Sequence, residues 1–230
     1  MKERPILFRS EMVRAILAGE KSQTRRIVKD ADPAAMSYGM CGPAFGPEKN
    51  GLWYTEFNAK GAYSGRGIRC PFGREGDGLW VRETWAEWEA QSEDAREPRG
   101  GKTMNPFVKI IYRADYSEAV GRSHVEDQHQ AGWRTPRFMP RGNSRLTLKI
   151  LNIHVERLDE ISDQDAIAEG CEEGEHEPSG MELFRMPGHN IEGMGFASPS
   201  YAFAAGFRSM HHEGLAWNPW LWVLKFGVVK

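Results

Sequence analysis

The chain has 230 residues and a mass of 26.1 kDa, 40% hydrophobic and 27% charged, with a mean hydropathy of −0.58. That balance excludes global disorder, and no apolar run approaches the roughly 20 residues a membrane-spanning helix needs. The net charge of −2, from 30 basic and 32 acidic residues, excludes a whole-protein field that favours nucleic acid.

From the N-terminus, Pro5 to Arg9 reads as a short extended entry. Ser10 is placed to cap a helix that carries Met12, Val13, Ile16 and Leu17 at helical spacing. Gly19 stops that helix, Lys21 follows, and Gln23 to Val28 leaves the turn as a strand. Residues 30–75 are rich in Gly, Pro, Ser and Ala and read as a long irregular insertion. Gly78 to Arg82 and Val108 to Tyr112 are strands, with a polar insertion over 89–107 between them. Arg145 to Leu158 alternates along its length, as one bent strand or a pair.

Ser162 opens a second short helix, with Asp165 three residues on and a glycine stop at Gly170. Residues 172–198 are acidic and then Gly/Met/Pro-rich, a third insertion. Tyr201 to Met210 forms a third helix with Phe203, Phe207 and Met210 on one face. Trp220 to Val229 is almost wholly apolar, so it is a central closing strand. Strands that seldom alternate with helices, of which there are about three, point to a small mixed β-barrel or an α+β domain over residues 1–230, and not to a doubly wound sheet. Burial of the first and last strands suits a closed barrel in which the termini pair.

Charge is unevenly laid out. Residues 1–30 carry eight basic side chains against four acidic ones, and 133–149 carry Arg134, Arg137, Arg141, Arg145 and Lys149 with no acid. These tracts make one patch only if the fold joins them; otherwise they are solvated loop charges. Three cysteines, Cys41, Cys70 and Cys171, cannot pair off evenly, and the N-terminus lacks an apolar leader core. Both features fit a reducing, cytoplasmic compartment. A zinc site requires Cys41, Cys70 and a histidine to converge, since no C-x₂-C is present. His211 and His212 point about 100° apart on a helix and seldom share an ion, so neither metal nor cofactor is expected. Trp80, Trp220 and Trp222 belong to strands and the core. Trp53, Trp85, Trp88 and Trp133 lie nearer loops, where an indole either packs or stacks on a base.

The phosphate-loop, nucleophile-elbow, dinucleotide and H-E-x-x-H signatures are absent. One stretch stands apart: Ile16-Leu17-Ala18-Gly19-Glu20-Lys21-Ser22-Gln23-Thr24-Arg25-Arg26 sets a helix, a tight turn and then Lys21 and Thr24 three residues apart. A lysine just past a helix end satisfies its last carbonyls; the alternative is that Lys21 and Thr24 stand at the mouth of a pocket. This stretch resembles the helix–turn–strand signature of ASCH domains in the PUA-like superfamily. Gly76 to Glu83 resembles the family's G-D-x-L-x-V strand, Ile161 to Gly170 its acidic helix and Leu221 to Phe226 its final strand. The Cys70-Pro71-Phe72-Gly73, Tyr112-Arg113-Ala114-Asp115, Met139-Pro140-Arg141 and Trp217-Asn218-Pro219-Trp220 segments resemble the longer ASCH proteins of phages and prophages.

The resemblance implies a PUA-like β-barrel with a cleft for RNA or a modified nucleoside. Small bacterial ASCH enzymes remove the acetyl group from N4-acetylcytidine with a lysine, a threonine and a glutamate, positions that Lys21, Thr24 and Glu169 match here. Other ASCH proteins are thought to bind RNA, and some are linked to RNA cleavage. Ser22 departs from the family's threonine but keeps a hydroxyl, and the insertions make this chain about twice as long as the small enzymes. In such chemistry Thr24 is a nucleophile only when a base takes its proton, and Lys21 serves as that base only with a lowered pKa. At a helix end, Glu169 is either a solvated acid or a group that holds its proton and donates it, and an ion pair with Lys21 would pull the other way. A binding module, by contrast, uses Arg25, Arg26, Arg137 and Arg141 on phosphates. Lys21 and Thr24, expected at a turn, are expected to be removable at little cost in stability.

Overall fold

The computed structural model describes residues 1–29, 53–57, 63–89, 108–116, 132–174, 182–187, 195–211 and 217–229. Its centre is a mixed five-stranded sheet. The strands are β1 (Glu3–Leu7), β2 (Gln23–Ile27), β5 (Gly78–Arg82), β8 (Thr147–Arg157) and β11 (Trp220–Val229), in the order β1-β5-β8-β11-β2. β1 runs parallel to β5, and every other neighbour is antiparallel. Three hairpins flank the sheet: β3 (Trp53–Phe57) with β4 (Tyr63–Ile68), β6 (Trp85–Glu89) with β7 (Val108–Tyr112), and β9 (Glu172–Glu173) with β10 (Phe184–Arg185). The helices are α1 (Ser10–Ala18), α2 (Asp163–Ala168) and α3 (Pro199–Met210). None of these helices is long and apolar enough to cross a membrane.

The α+β class is thus as expected, but the pairing of the termini is not. β11 pairs with β8 and β2, whereas β1 pairs only with β5. β1 holds Pro5, which has no N–H to give a second neighbour, and only Ile6 of its five residues is buried; both are edge-strand properties. Among the described residues the sheet is therefore open between β1 and β2. It curls enough to bring the edges together, since the Arg26 guanidinium on β2 donates to the Leu7 carbonyl on β1 at 2.6 Å.

β11 is central, as its apolar run predicts, because it buries both faces. Trp222, Leu224 and Phe226 pack toward Val13 and Ile16 of α1, and Leu221 packs toward Phe203 and Phe207 of α3. The Arg145–Leu158 segment is one strand, long enough to pair with both β5 and β11.

Other elements depart from the sequence reading. α1 starts on Ser10 itself, with Arg9 in the cap position and no side-chain cap. α3 begins two residues earlier than expected because Ser198 caps it and Pro199 fills its first turn. β3–β4 falls within 30–75 and β9–β10 within 172–198, so both insertions carry hairpins. Trp85 is a buried strand residue and not a loop aromatic, while the side chains of Trp53 and Trp88, with Cys41 and His212, lie outside the described residues. Among the described residues no three His, Cys, Asp or Glu side chains are grouped to hold a metal.

Candidate functional site

Two helix ends build the site. α1 ends on Gly19, whose φ of 82° lets the chain turn while backbone N–H groups of Gly19, Glu20 and Lys21 return to the carbonyls of Ala15 and Ile16. The Ala15 and Ile16 carbonyls of α1 are therefore satisfied without the Lys21 side chain. That side chain serves a different helix. The Lys21 Nζ donates to the Glu169 carbonyl at 2.5 Å and the Ser22 N–H to the Ala168 carbonyl at 3.0 Å, closing the C-terminus of α2. Gly170, at φ 100°, makes the turn that allows this close approach; its missing Cβ would stand 3.9 Å from the Lys21 Cβ.

The same amine meets the Glu169 carboxylate at Oε2, 2.7 Å away, and Arg25 Nη1 meets Oε1 at 3.2 Å. Arg25 also binds Glu156, with Nε 2.6 Å from Oε1, and lies 3.5 Å from Asp165 and 5.6 Å from the Phe203 ring centroid. Gln23 joins the group by donating to Asp165 at 2.8 Å. Lys21, Thr24, Arg25 and Glu169 are only 3–4% exposed. The expectation that Lys21 and Thr24 sit at an accessible turn is thus overturned: the β2–β11 pairing and α2 enclose both.

Burial pushes the Lys21 ammonium below its usual value, and the neighbouring Glu169 pulls it only part of the way back. The Cys171 thiol beside them is pushed up to about 12 by burial, then by the Glu169 charge, so it is inert as a nucleophile. Both Glu169 oxygens already accept hydrogen bonds from cations. The ion pair between Lys21 and Glu169 is thus formed, with the Glu169 carboxylate and carbonyl both holding the amine.

Glu169 and Thr24 open onto a cavity of about 930 Å³ between the curled sheet edges. Its apolar wall includes Phe8, Phe72, Phe203, Phe207 and Trp222. Ile68, Arg69 and Phe72 from the first insertion and Met186 from the third complete the lining. Among the described residues, no hydrogen bond occupies the Thr24 hydroxyl.

Of the cations predicted from sequence, Arg25 and Arg26 reach the cavity, but Arg25 is ion-paired with Glu156, Asp165 and Glu169. Arg137 is exposed beside Pro136, a lining residue. Arg141 lies elsewhere, paired with Glu3 at 2.7 Å. Arg134 and Arg145 are likewise paired, with Glu87 and with Glu83 and Asp115, so most of the 133–149 tract holds the fold together.

Sequence reasoning missed His211. Its ring lies 4.8 Å from Phe207, which lies 5.7 Å from Phe203, and all three line the cavity. The i, i+4, i+8 spacing was the available signal. No known protein family, characterised protein or solved structure matches this chain.

Proposed function

We propose that this chain is an ASCH-type, PUA-like protein that hydrolyses an amide on a modified nucleoside, free or in RNA, with N4-acetylcytidine as the reference substrate. The observation that carries the reading is the buried Lys21–Glu169 pair at 2.7 Å, with Glu169 and Thr24 both on the wall of an open, aromatic-lined cavity. A volume of about 930 Å³ falls in the range of small-molecule sites and exceeds what a nucleoside alone fills.

In this mechanism neutral Lys21 accepts the Thr24 hydroxyl proton as Oγ1 attacks the acyl carbon. The tetrahedral adduct collapses with cleavage of the C–N bond, and the proton passes from Lys21 to the leaving nitrogen. Water then hydrolyses the acyl-threonine, again through Lys21. Burial favours the neutral amine and Glu169 keeps it in place, so the two opposed influences on Lys21 have separate functions.

A second reading, a non-catalytic RNA- or nucleotide-binding module, draws on the absence of solvent exposure at the Lys21 side chain and the cations around the cavity. Thr24→Val separates the two. It removes the hydroxyl and keeps the shape, so acetate release from N4-acetylcytidine should fall at least about 10²-fold, with cytidine binding retained. Wild-type protein that binds nucleosides but releases no acyl group from a panel of N4-acylcytidines refutes the hydrolase and leaves the module.

A further inference from the structure

The cavity wall has a charge imbalance that amide hydrolysis does not use. Arg9, Arg25, Arg26, Lys29 and Arg69 line it, against Glu11 and Glu169. Glu169 is taken by Lys21 and Arg25, Arg25 by three carboxylates, and Glu11 lies 3.7 Å from Arg14 in its own helix. Among the described residues, Arg26, Lys29 and Arg69 line the space with no carboxylate in salt-bridge range.

Arg26 is the best-defined member. Its guanidinium lies 5.2 Å from the Phe8 ring centroid and donates once, to the Leu7 carbonyl. Its Nε is buried with no acceptor among the described residues. A guanidinium pinned through one nitrogen and a ring face is preorganised for a planar pair of oxygens. His211 lines the same cavity, its ring 4.8 Å from that of Phe207 and its backbone N–H donating to the Arg208 carbonyl at 3.1 Å. α1 also begins at this wall, with Arg9 and Ser10 in the lining and no side-chain cap on its first N–H groups.

We propose that Arg26 and His211 form a phosphate subsite in the cavity, so that its ligand is a nucleotide or a nucleotide unit of a chain, and not a free nucleoside. The inference rests on the cavity being the nucleoside site proposed above, and it specifies the substrate class. Burial and the charges of Arg26 and Arg9 hold the His211 imidazolium below its usual value. An anion bound between these groups reverses that balance and draws a proton onto the ring. Among the described residues the acids on the lining are Glu11 and Glu169, both already paired, so a bound phosphate supplies the counter-charge these residues lack. The aromatic wall of Phe203 and Phe207 offers a stacking surface for a base.

The test uses the full chain with cytidine, cytidine 5′-monophosphate, inorganic phosphate and a cytidine-containing single-stranded hexanucleotide, by calorimetry at low salt. The monophosphate should bind roughly tenfold or more tighter than cytidine, as one charge-assisted contact requires. Arg26→Gln and His211→Phe, the latter keeping the ring on Phe207, should each reduce that preference to near unity. In NMR titrations the His211 pKa should rise when monophosphate or phosphate binds. A hexanucleotide that binds more tightly than the monophosphate identifies a polynucleotide source; equal or weaker binding identifies the mononucleotide. Equal affinity for cytidine and its monophosphate, or a preference unchanged in both variants, overturns the subsite. Loss of hydrolysis as a hypothesis does not: a wild type that prefers the monophosphate but releases no acyl group fails the catalytic reading and keeps this one.

Discussion

Glu169 and Glu83 are both buried, at 4% and 1% exposure, and both are held by cations, yet they serve different ends. Glu83 takes Arg145 in a two-pronged pair, Nε to Oε1 at 2.9 Å and Nη2 to Oε2 at 3.0 Å, while Arg145 reaches on to Asp115 and stacks over Tyr112 at 4.1 Å. Burial raises the Glu83 carboxyl and Arg145 pulls it back, but Glu83 is not among the residues lining the cavity and its partner has no proton to exchange at neutral pH. Glu169 has one permanent cation and one that can titrate, and it faces open space. A buried carboxylate–cation cluster is therefore not a site in itself; a lysine in place of one arginine and one open side are the differences on which the proposed hydrolysis rests.

Removing one cation from each cluster tests that contrast. Lys21→Ala leaves Glu169, a buried residue, with Arg25 alone and should cost about 3–5 kcal/mol of stability, the range for breaking a buried pair. It should also abolish acyl release. Arg145→Ala strands Glu83, but Arg145 is itself partly exposed, so water enters and the loss should be nearer 2 kcal/mol. Its nucleoside binding should match wild type. Urea unfolding with binding assays on the folded fraction checks both; if Lys21→Ala is as stable as wild type, the ion pair does not hold α2 to β2.

The pH response sharpens the same contrast. In the unfolded chain Lys21 keeps its proton to about pH 10.4, whereas burial makes the folded protein release it earlier. Between the two values the unfolded state binds more protons, so this residue makes stability rise with pH. Lys21→Met should remove that rise when unfolding free energies are compared from neutral pH upward. An unchanged slope in the variant would show that the lysine is not depressed.

Much of this was legible from residue types. Gly19 and Gly170 marked two helix ends, and the apolar run Trp220–Val229 marked the central strand. The family resemblance selected Lys21, Thr24 and Glu169, although 148 residues separate the outer two. What failed depended on long-range pairing. Nothing local says that Lys21 closes α2 and not α1, or that Arg134, Arg141 and Arg145 meet acids from other strands. The composition of 30–75 hid β3–β4, because hairpins rich in Gly and Ser lack the apolar alternation that marks a half-buried strand. His211 was visible as a residue but not as a wall, since its role comes from the sheet edge opposite it.

Asp77 supplies the mildest test, as a carboxylate that is structural and near the surface. It accepts from the Lys2 N–H at 3.1 Å, Arg4 Nη1 at 3.0 Å and the Arg74 N–H at 3.4 Å, tying the start of β1 to the turn before β5. The Lys2 bond, with help from Arg4 and Arg74, holds its carboxyl below the ordinary range despite partial desolvation. A depressed folded pKa means the contribution is present above the unfolded value, about 3.9, and is lost as pH falls through the folded value. Asp77→Asn keeps one acceptor but turns an N–H₂ toward donors, so it should cost about 1 kcal/mol at pH 7, lowering Tm by roughly 2–4 °C for a chain of this size. The two proteins should converge as the pH falls through the folded value, where wild-type Asp77 becomes protonated as well. Calorimetric scans at neutral and acid pH decide it: a gap that persists unchanged at low pH would mean that shape, and not charge, makes Asp77 hold β1 in place.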